Sequence, residues 1–173
     1  LENKTINNGS NLESFNYQDF VKHFDALEIC SGQNIVCHSA LFSFGRCLPM
    51  DAVMALRAVI GPDATIAAPG YHFEDRAFEL NAPISKKVGA FSQCLHSFGE
   101  SVRSYCPVHN HVALGPKASE LTNNNKTISF GLGSDFDWFS KNNFDLVLLG
   151  CSFKHGATFL HHLEALCDVP YRK

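Results

Sequence analysis

The chain has 173 residues, of which 45% are hydrophobic and 18% are charged, and its formal net charge is −3. This length and composition predict a soluble globular protein with one main domain, because no apolar run approaches the ~20 residues that span a membrane. Its 14 lysines and arginines are scattered, so we expect neither nucleic acid nor a membrane as a partner, and cationic ligands suit this acidic chain better.

The seven cysteines are odd in number and form no CxxC pair or zinc-finger spacing. Neither a disulfide framework nor a metal site is therefore expected, and free cysteines indicate a reducing, cytoplasmic location. Residues 1–15 are polar and lack the basic and apolar regions of a signal peptide. They predict an N-terminal tail ahead of a domain over residues 16–173.

The first half of the domain has the pattern of a βαβ unit. A capping pattern followed by helically spaced apolar residues predicts a helix over 17–29. An apolar strand over 34–38 precedes a helix that begins at Pro49, and a second strand covers 65–68. This order predicts a right-handed crossover and a parallel sheet, and hence an α/β layered sheet with parallel βαβ units flanked by helices.

The second half continues with a loop, shorter elements and one strong strand. The strand over 144–150 is apolar on both faces, which predicts an interior position in the sheet. The remaining predicted elements are a long loop over 70–86, helices over 87–98, 116–121 and 156–167, and an irregular strand region over 102–114. Loops as long as the first of these are usually functional or disordered.

The segment after the first strand is rich in hydroxyl groups and ends in a glycine. In open α/β sheets ligands bind beyond the carboxyl ends of the strands, and backbone N–H groups there can hold a phosphate. The candidate residues are His38, Ser39, Ala40, Ser43, Phe44 and Gly45. A serine-rich turn that only caps the next helix is the alternative.

The segment after the second strand places acids among aromatic residues. Its candidate binding residues are Tyr71, Glu74, Asp75 and Glu79. Carboxylates and aromatic faces together suit an amine cation, through ion pairing and cation–π contact. The alternative is a solvated loop whose aromatic side chains pack onto the domain.

The helix after the last strand carries a candidate general base. His161 and Glu164 are three residues apart and share a helix face, and Thr158 lies three residues earlier on the same stripe. A histidine beside a carboxylate has a pKa suited to proton transfer near neutrality. The adjacent His162 points about 100° away from His161, so the two histidines are a poor metal motif. The alternative to a catalytic role is that both histidines only pack in the fold.

Nine ordered motifs make the chain resemble the aminoglycoside 3-N-acetyltransferase family. The match runs in order from about residue 17 to the last residue. The motifs are specific only in combination. The motifs are His38-Ser39, Gly61–Thr65, Asn81–Pro83, Gly89–Ser92, Arg103–Pro107, Ala113–Pro116, Leu146–Gly150, Thr158–His161 with Glu164, and Val169–Arg172.

The resemblance implies an enzyme that moves an acetyl group from acetyl-coenzyme A to an amine of an aminoglycoside antibiotic, and thus a role in antibiotic resistance. His161 is then the general base of a direct transfer, with Glu164 orienting its ring. Coenzyme A would bind along Ser39–Gly45. Cys106 stands where the family has histidine, which leaves a covalent route through this thiol as an alternative.

Two other functions remain open on the same residues. One is acetylation of an amino sugar for surface polysaccharide, and the other is an inactive, shortened relative that acts as a binding module. Family members continue for roughly another third of their length, so we expect either a longer natural polypeptide or a second copy that forms a homodimer over an open sheet edge.

Overall fold

The computed structural model describes residues 14–123 and 128–171, which form a central sheet with helices packed on it. The strands are β1 (Asn34–Ser39), β2 (Ile66–Pro69), β3 (Val102–Arg103), β4 (His111–Leu114) and β5 (Phe144–Leu149). The α-helices are α1 (Tyr17–Ala26), α2 (Pro49–Ile60), α3 (Ala90–His96), α4 (Asp135–Lys141), α5 (Phe153–Gly156) and α6 (Phe159–Leu166). Short 3₁₀ helices cover Leu41–Phe44 and Ala118–Asn123.

The sheet has the strand order β3-β4-β2-β1-β5. β1 pairs in parallel with β2 and β5, whereas β4 pairs antiparallel with β2 and β3. The predicted βαβ unit is confirmed as β1-α2-β2, and the whole sheet is mixed. In the part of the chain that the structure describes, β5 pairs only with β1 and lies at the sheet edge, so the second neighbour predicted for this strand is not among the described residues.

A capping side chain begins α1 and a proline begins α2, and residues with a positive φ follow both helices. Asn16 caps α1 in a capping box with Asp19, as the pattern predicted. The helix ends at Ala26, before the predicted residue 29, because Glu28 adopts a positive φ of 57°. Pro49 starts α2, and Gly61 ends it with a φ of 78°.

Two hydrophobic clusters cover the two faces of the sheet. Phe20, Phe24 and Leu56 belong to the cluster that α1, α2 and α3 pack onto the sheet. Phe136 and Phe139 of α4 belong to the second cluster, on the face that also receives Leu121. Helices therefore flank the sheet on both sides, as expected for a layered α/β fold.

Several short elements differ from the predictions. The helix predicted over 87–98 is limited to Ala90–His96, and the helix predicted over 156–167 is limited to α6, with the separate short helix α5 before it. The structure adds α4, which the sequence pattern did not predict. Residues 70–86 form no helix or strand, as predicted.

The N-terminal end of the described chain is part of the packed domain. Phe15, the last residue of the predicted tail, forms an isolated bridge with Cys47 and packs its ring 4.7 Å from that of Phe20. Residues 1–13 lie outside the described residues. In the described ranges, no helix is both long and apolar enough to cross a bilayer.

Candidate active-site cleft

An open cleft of about 410 Å³ lies beyond the carboxyl ends of β1, β2 and β5. Its position agrees with the general rule for ligand sites in open α/β sheets. Three chain segments that are distant in sequence build its walls. The lining residues are His38, Ser39, Ala40, Phe42, Pro69, Tyr71, Phe73, Lys86, Lys87, Val88, Gly89, Cys151, Gly156 and Thr158.

The segment after β1 divides between the cleft and the domain interior. His38, Ser39 and Ala40 line the cleft, as expected for a ligand loop. Ser43 and Phe44 instead stabilise the fold: the Ser43 Oγ donates a hydrogen bond of 2.5 Å to the Gly150 carbonyl, and Phe44 packs against the aromatic residues of α1. Of the six residues predicted to bind the cofactor in this segment, Ser43, Phe44 and Gly45 do not line the cleft.

Gly150 lets β5 end close against this segment. Its φ is +71°, and a Cβ there would lie 2.7 Å from the Phe44 ring and 2.8 Å from the Ala40 carbonyl oxygen. Any other residue would be strained by both the backbone conformation and the contact. The glycine therefore keeps the β1 and β5 sides of the cleft together.

One rim of the cleft carries two adjacent cations, Lys86 and Lys87. They stand at the end of the long loop over 70–86 and precede Gly89, whose φ is 118° and which lies against the Ser39 carbonyl. Sequence reasoning did not single out this lysine pair. A basic dipeptide at the end of an otherwise acidic and aromatic loop was the signal that could have found it.

The inner end of the cleft holds two polar side chains that are almost completely buried. His38 is 5% exposed and Tyr71 is 8% exposed, and their rings meet edge to face at 6.3 Å. The His38 Nε2 and the Tyr71 hydroxyl make no hydrogen bond to any residue in the described ranges. Burial lowers the pKa of His38 to about 3, assisted by the nearby His111.

The tyrosine hydroxyl is held in its protonated form by its surroundings. Burial raises the pKa of Tyr71, and the approach of the Thr158 hydroxyl offsets only part of that rise. Both side chains at the inner end of the cleft are therefore neutral at physiological pH.

Behind Tyr71 lies a buried histidine–aspartate pair that sequence reasoning missed. The His111 Nδ1 donates to the Asp135 Oδ2 across 2.9 Å, and both side chains are at most 2% exposed. Ser104 joins them: its hydroxyl donates to Asp135 and accepts the His111 backbone N–H at 2.9 Å. The His111 ring packs edge to face on Tyr71, with centroids 5.4 Å apart.

The acids predicted to bind substrate lie outside the cleft. Glu74 forms an ion pair with Arg76 across 2.6 Å, and the pKa of Glu74 is lowered chiefly by this hydrogen bond. Asp75 and Glu79 are exposed on the same loop. Tyr71 is thus the one predicted substrate-binding residue that the structure places in the cleft wall.

The predicted base and its carboxylate form a pair on α6. The His161 Nδ1 donates to the Glu164 Oε2 across 2.9 Å, which leaves the lone pair of the imidazole on Nε2. The His161 side chain is 48% exposed and does not line the cleft. Thr158, one helical turn earlier, does line it, so the stripe that carries His161 begins at the cleft.

The neighbouring His162 has the opposite environment. It is 1% exposed, and its Nδ1 accepts the backbone N–H of Gly131 at 3.1 Å. Burial lowers the pKa of His162, partly opposed by the charge of Asp137. His162 therefore fixes α6 to the segment that precedes α4.

Two cysteines are relevant to a covalent route. Cys106 is 2% exposed and does not line the cleft, and its Sγ lies 3.8 Å from the Ser129 Oγ. Cys151 lines the cleft, but burial raises the pKa of its thiol. Cys106 is therefore buried away from the cleft, and the raised pKa keeps the Cys151 thiol protonated, which weakens it as a nucleophile.

Comparison with known proteins finds a matching family model and similar solved structures. A family model described as aminoglycoside 3-N-acetyltransferase matches residues 36–173. AAC-IIIb in a binary complex with CoASH is similar at 25% sequence identity and a TM-score of 0.78, over 90% of this chain and 66% of that chain. No curated protein matches the sequence significantly.

Two further solved structures share the fold. YokD from Bacillus subtilis has 22% identity and a TM-score of 0.81, with 91% of this chain and 72% of that chain covered. AAC-VIa bound to sisomicin has 22% identity and a TM-score of 0.79, with 88% and 65% covered. The chain thus spans 65% to 72% of the length of AAC-IIIb, YokD and AAC-VIa.

Proposed function

Because the chain belongs to the aminoglycoside 3-N-acetyltransferase family, we propose that it transfers an acetyl group from acetyl-coenzyme A to an amine of an aminoglycoside. The observation that carries this proposal is the cleft beyond β1, β2 and β5, with its cationic rim and its neutral polar inner end. A phosphate-bearing thioester needs both of these environments. The similarity to AAC-IIIb, which was solved with CoASH, supports the same cofactor.

The residues of the cleft fit coenzyme A by their chemistry. Lys86 and Lys87 supply positive charge for its phosphates, and Ser39 adds a hydroxyl group to the lining. Phe42 and Val88 add apolar surface for the uncharged arm. When bound, the coenzyme supplies an acetyl group activated as a thioester.

His161 takes the proton of the amine in this proposal. An amine attacks a thioester only when it is unprotonated, and amines with a pKa above 7 arrive mostly as cations. As the nitrogen bonds to the carbonyl carbon and the carbon–sulfur bond breaks, the Nε2 of His161 accepts the amine proton. Glu164 stabilises the imidazolium through Nδ1, and the departing thiolate takes up a proton.

Carboxylates outside the cleft would attract the cationic amine end of the substrate. Asp75 and Glu79 are exposed on the loop that also supplies Tyr71, and Glu164 lies beside the base. Glu74 is already engaged by Arg76, so its charge is partly neutralised. A polyamine cation would gain several weak ion pairs along this side.

A thiol-release assay with acetyl-coenzyme A tests the proposal. The panel contains aminoglycosides such as sisomicin and apramycin and, as a second arm, amino-sugar nucleotides. We expect thiol release that depends on an aminoglycoside, with a mass increase of one acetyl group on that substrate.

Each other result selects a different function. Release that depends only on a nucleotide sugar would favour the polysaccharide alternative. Binding of coenzyme A without release in either arm would favour a binding module, and no binding would contradict the proposed function altogether.

A further inference from the structure

We propose that His38 and Tyr71 form the subsite for the acetyl carbonyl group, donating an imidazole N–H and a phenol O–H to its oxygen as negative charge develops there. This inference rests on the proposed function and assigns a chemical role to the inner end of the cleft. Donors that are already oriented toward such an oxygen are the usual means of stabilising a tetrahedral intermediate.

The two side chains are an unusual pair to leave without partners. A buried polar group that makes no hydrogen bond costs about 1–3 kcal/mol, and most buried polar atoms in folded proteins are satisfied. Here two such atoms, the His38 Nε2 and the Tyr71 hydroxyl, belong to neighbouring rings that line one cleft. A ligand oxygen that accepts from both would satisfy both at once.

Uncharged hydrogen-bond donors suit the binding of the acetyl carbonyl oxygen. The pKa of His38 is lowered to about 3 and that of Tyr71 is raised, so each keeps one proton and no charge over the whole physiological range. Neither group then titrates as the reaction proceeds. Neutral donors also hydrogen-bond to the thioester oxygen without placing a charge in the buried end of the cleft before the reaction starts.

The surroundings hold the tyrosine ring in place. His111 packs edge to face on Tyr71 from one side, and its own ring is fixed by the 2.9 Å hydrogen bond to Asp135. Phe73 contacts the same ring at 5.7 Å between centroids. The hydroxyl therefore cannot move far, which reduces the reorganisation needed when a carbonyl oxygen enters.

The subsite also lies at the correct end of the cleft relative to the proposed base. Thr158 approaches the Tyr71 hydroxyl and lines the cleft, and it precedes His161 by one turn of helix. Lys86 and Lys87 lie on the rim of the same cleft. Phosphates at the lysines and a carbonyl at Tyr71 would direct the thioester toward the α6 side.

The test compares two ligands that differ by the carbonyl oxygen. Acetyl-coenzyme A and S-ethyl-coenzyme A are titrated into the chain by calorimetry without an amine. The wild-type chain should bind acetyl-coenzyme A several-fold more tightly than S-ethyl-coenzyme A. That difference corresponds to the ~1 kcal/mol of one net hydrogen bond. Tyr71→Phe should lower that preference, because only the His38 donor then remains, and Tyr17→Phe, on α1 away from the cleft, should leave it unchanged.

Steady-state kinetics and substitutions of His38 distinguish binding of the carbonyl oxygen from an effect on packing. Tyr71→Phe should lower kcat by ~10²–10³ with little change in KM for acetyl-coenzyme A. His38→Leu should lower the preference for the carbonyl ligand, whereas His38→Gln should lower it less, because the amide N–H can replace the Nε2–H. Thermal unfolding of each variant checks that the fold is retained.

The outcomes are distinguishable from those of the proposed function. Equal binding of the two ligands by the wild-type chain, or an unchanged preference in Tyr71→Phe, would overturn the subsite while leaving acetyl transfer intact. A chain that binds neither ligand would overturn both. An unchanged carbonyl preference in His38→Leu would remove His38 from the subsite.

Discussion

Two adjacent histidines on α6 show how strongly the environment decides the role of a residue. His161 is half exposed and bonded to a carboxylate, whereas His162 is buried and accepts a backbone N–H. The 100° between successive helical residues predicted that they would face different ways. Which of them would be buried was not visible in the sequence, because it depends on the packing of α4 and Gly131.

His161→Ala should lower acetyl transfer by ~10²–10⁴, the range for losing a positioned general base. Binding of coenzyme A should remain nearly unchanged, since His161 does not line the cleft. Steady-state kinetics and calorimetry on the same preparation measure the two effects. His23→Ala, on α1, is the control and should retain wild-type kcat; full turnover in His161→Ala would remove this histidine from the mechanism.

His162→Ala should act mainly on stability. The change leaves the Gly131 N–H without its acceptor and opens a cavity beside Phe136 and Phe159, whose rings contact the imidazole. We expect a loss of about 2–4 kcal/mol in the free energy of unfolding. Denaturant unfolding measures it, and a variant as stable as the wild type would show that His162 does not anchor α6.

At the scale of elements, long periodic segments were predictable and short ones were not. The helix from Pro49 and the strand at 144–149 have clear apolar patterns and strong end signals, and both occur as predicted. α4 has only seven residues, and four of them, Asp135, Asp137, Ser140 and Lys141, are polar. Its position depends on tertiary contacts rather than on periodicity.

One such contact joins α4 to β4 and can be tested by substitution. Asp135→Ala would leave His111 buried without its carboxylate, and removing one partner of a buried pair costs ~3–5 kcal/mol. We expect a loss of that size in the free energy of unfolding, measured by urea denaturation. Asp145→Ala, on the β5 edge, is the matched control.

The Asp145 control should change the free energy of unfolding by less than about 0.5 kcal/mol, because its contact with Gln33 is on the surface. Similar small losses in both variants would contradict the view that α4 is anchored through Asp135. The double variant Asp135→Ala/His111→Ala should recover part of the loss, since no unpaired imidazole then remains.

At the scale of the whole molecule, the cleft is assembled from segments more than a hundred residues apart. His38, Ser39 and Tyr71 were predictable because they lie at or just beyond the carboxyl ends of strands, where ligands bind. Lys86, Cys151 and Gly156 reach the cleft only through the folding of loops. The carboxylates of Glu74, Asp75 and Glu79 suit an amine cation by their charge, but the loop that carries them places them outside the cleft.

The stability of the whole molecule should depend on pH through buried neutral histidines. His38 has a pKa of about 3 in the folded chain against an ordinary 6.5, so the unfolded chain binds more protons below pH 6.5. Stability is therefore fully present above pH 6.5 and falls as the pH drops toward 3, by up to ~1.4 kcal/mol per pH unit.

Comparison with a variant isolates the contribution of His38. Denaturant unfolding of the wild type and of His38→Gln between pH 7 and pH 4 should give a steeper loss in the wild type. Parallel curves for the two proteins would show that His38 is not held neutral by burial. Acidic side chains contribute equally to both curves, so the difference reports on this histidine.

The central claim is that coenzyme A binds in the cleft beyond β1, β2 and β5, and hydrogen exchange with and without coenzyme A tests it most directly. Binding should slow exchange at residues 38–42 and 86–89, which line the cleft, and leave α1 unchanged. Protection confined to other segments, or none at all, would contradict the claim.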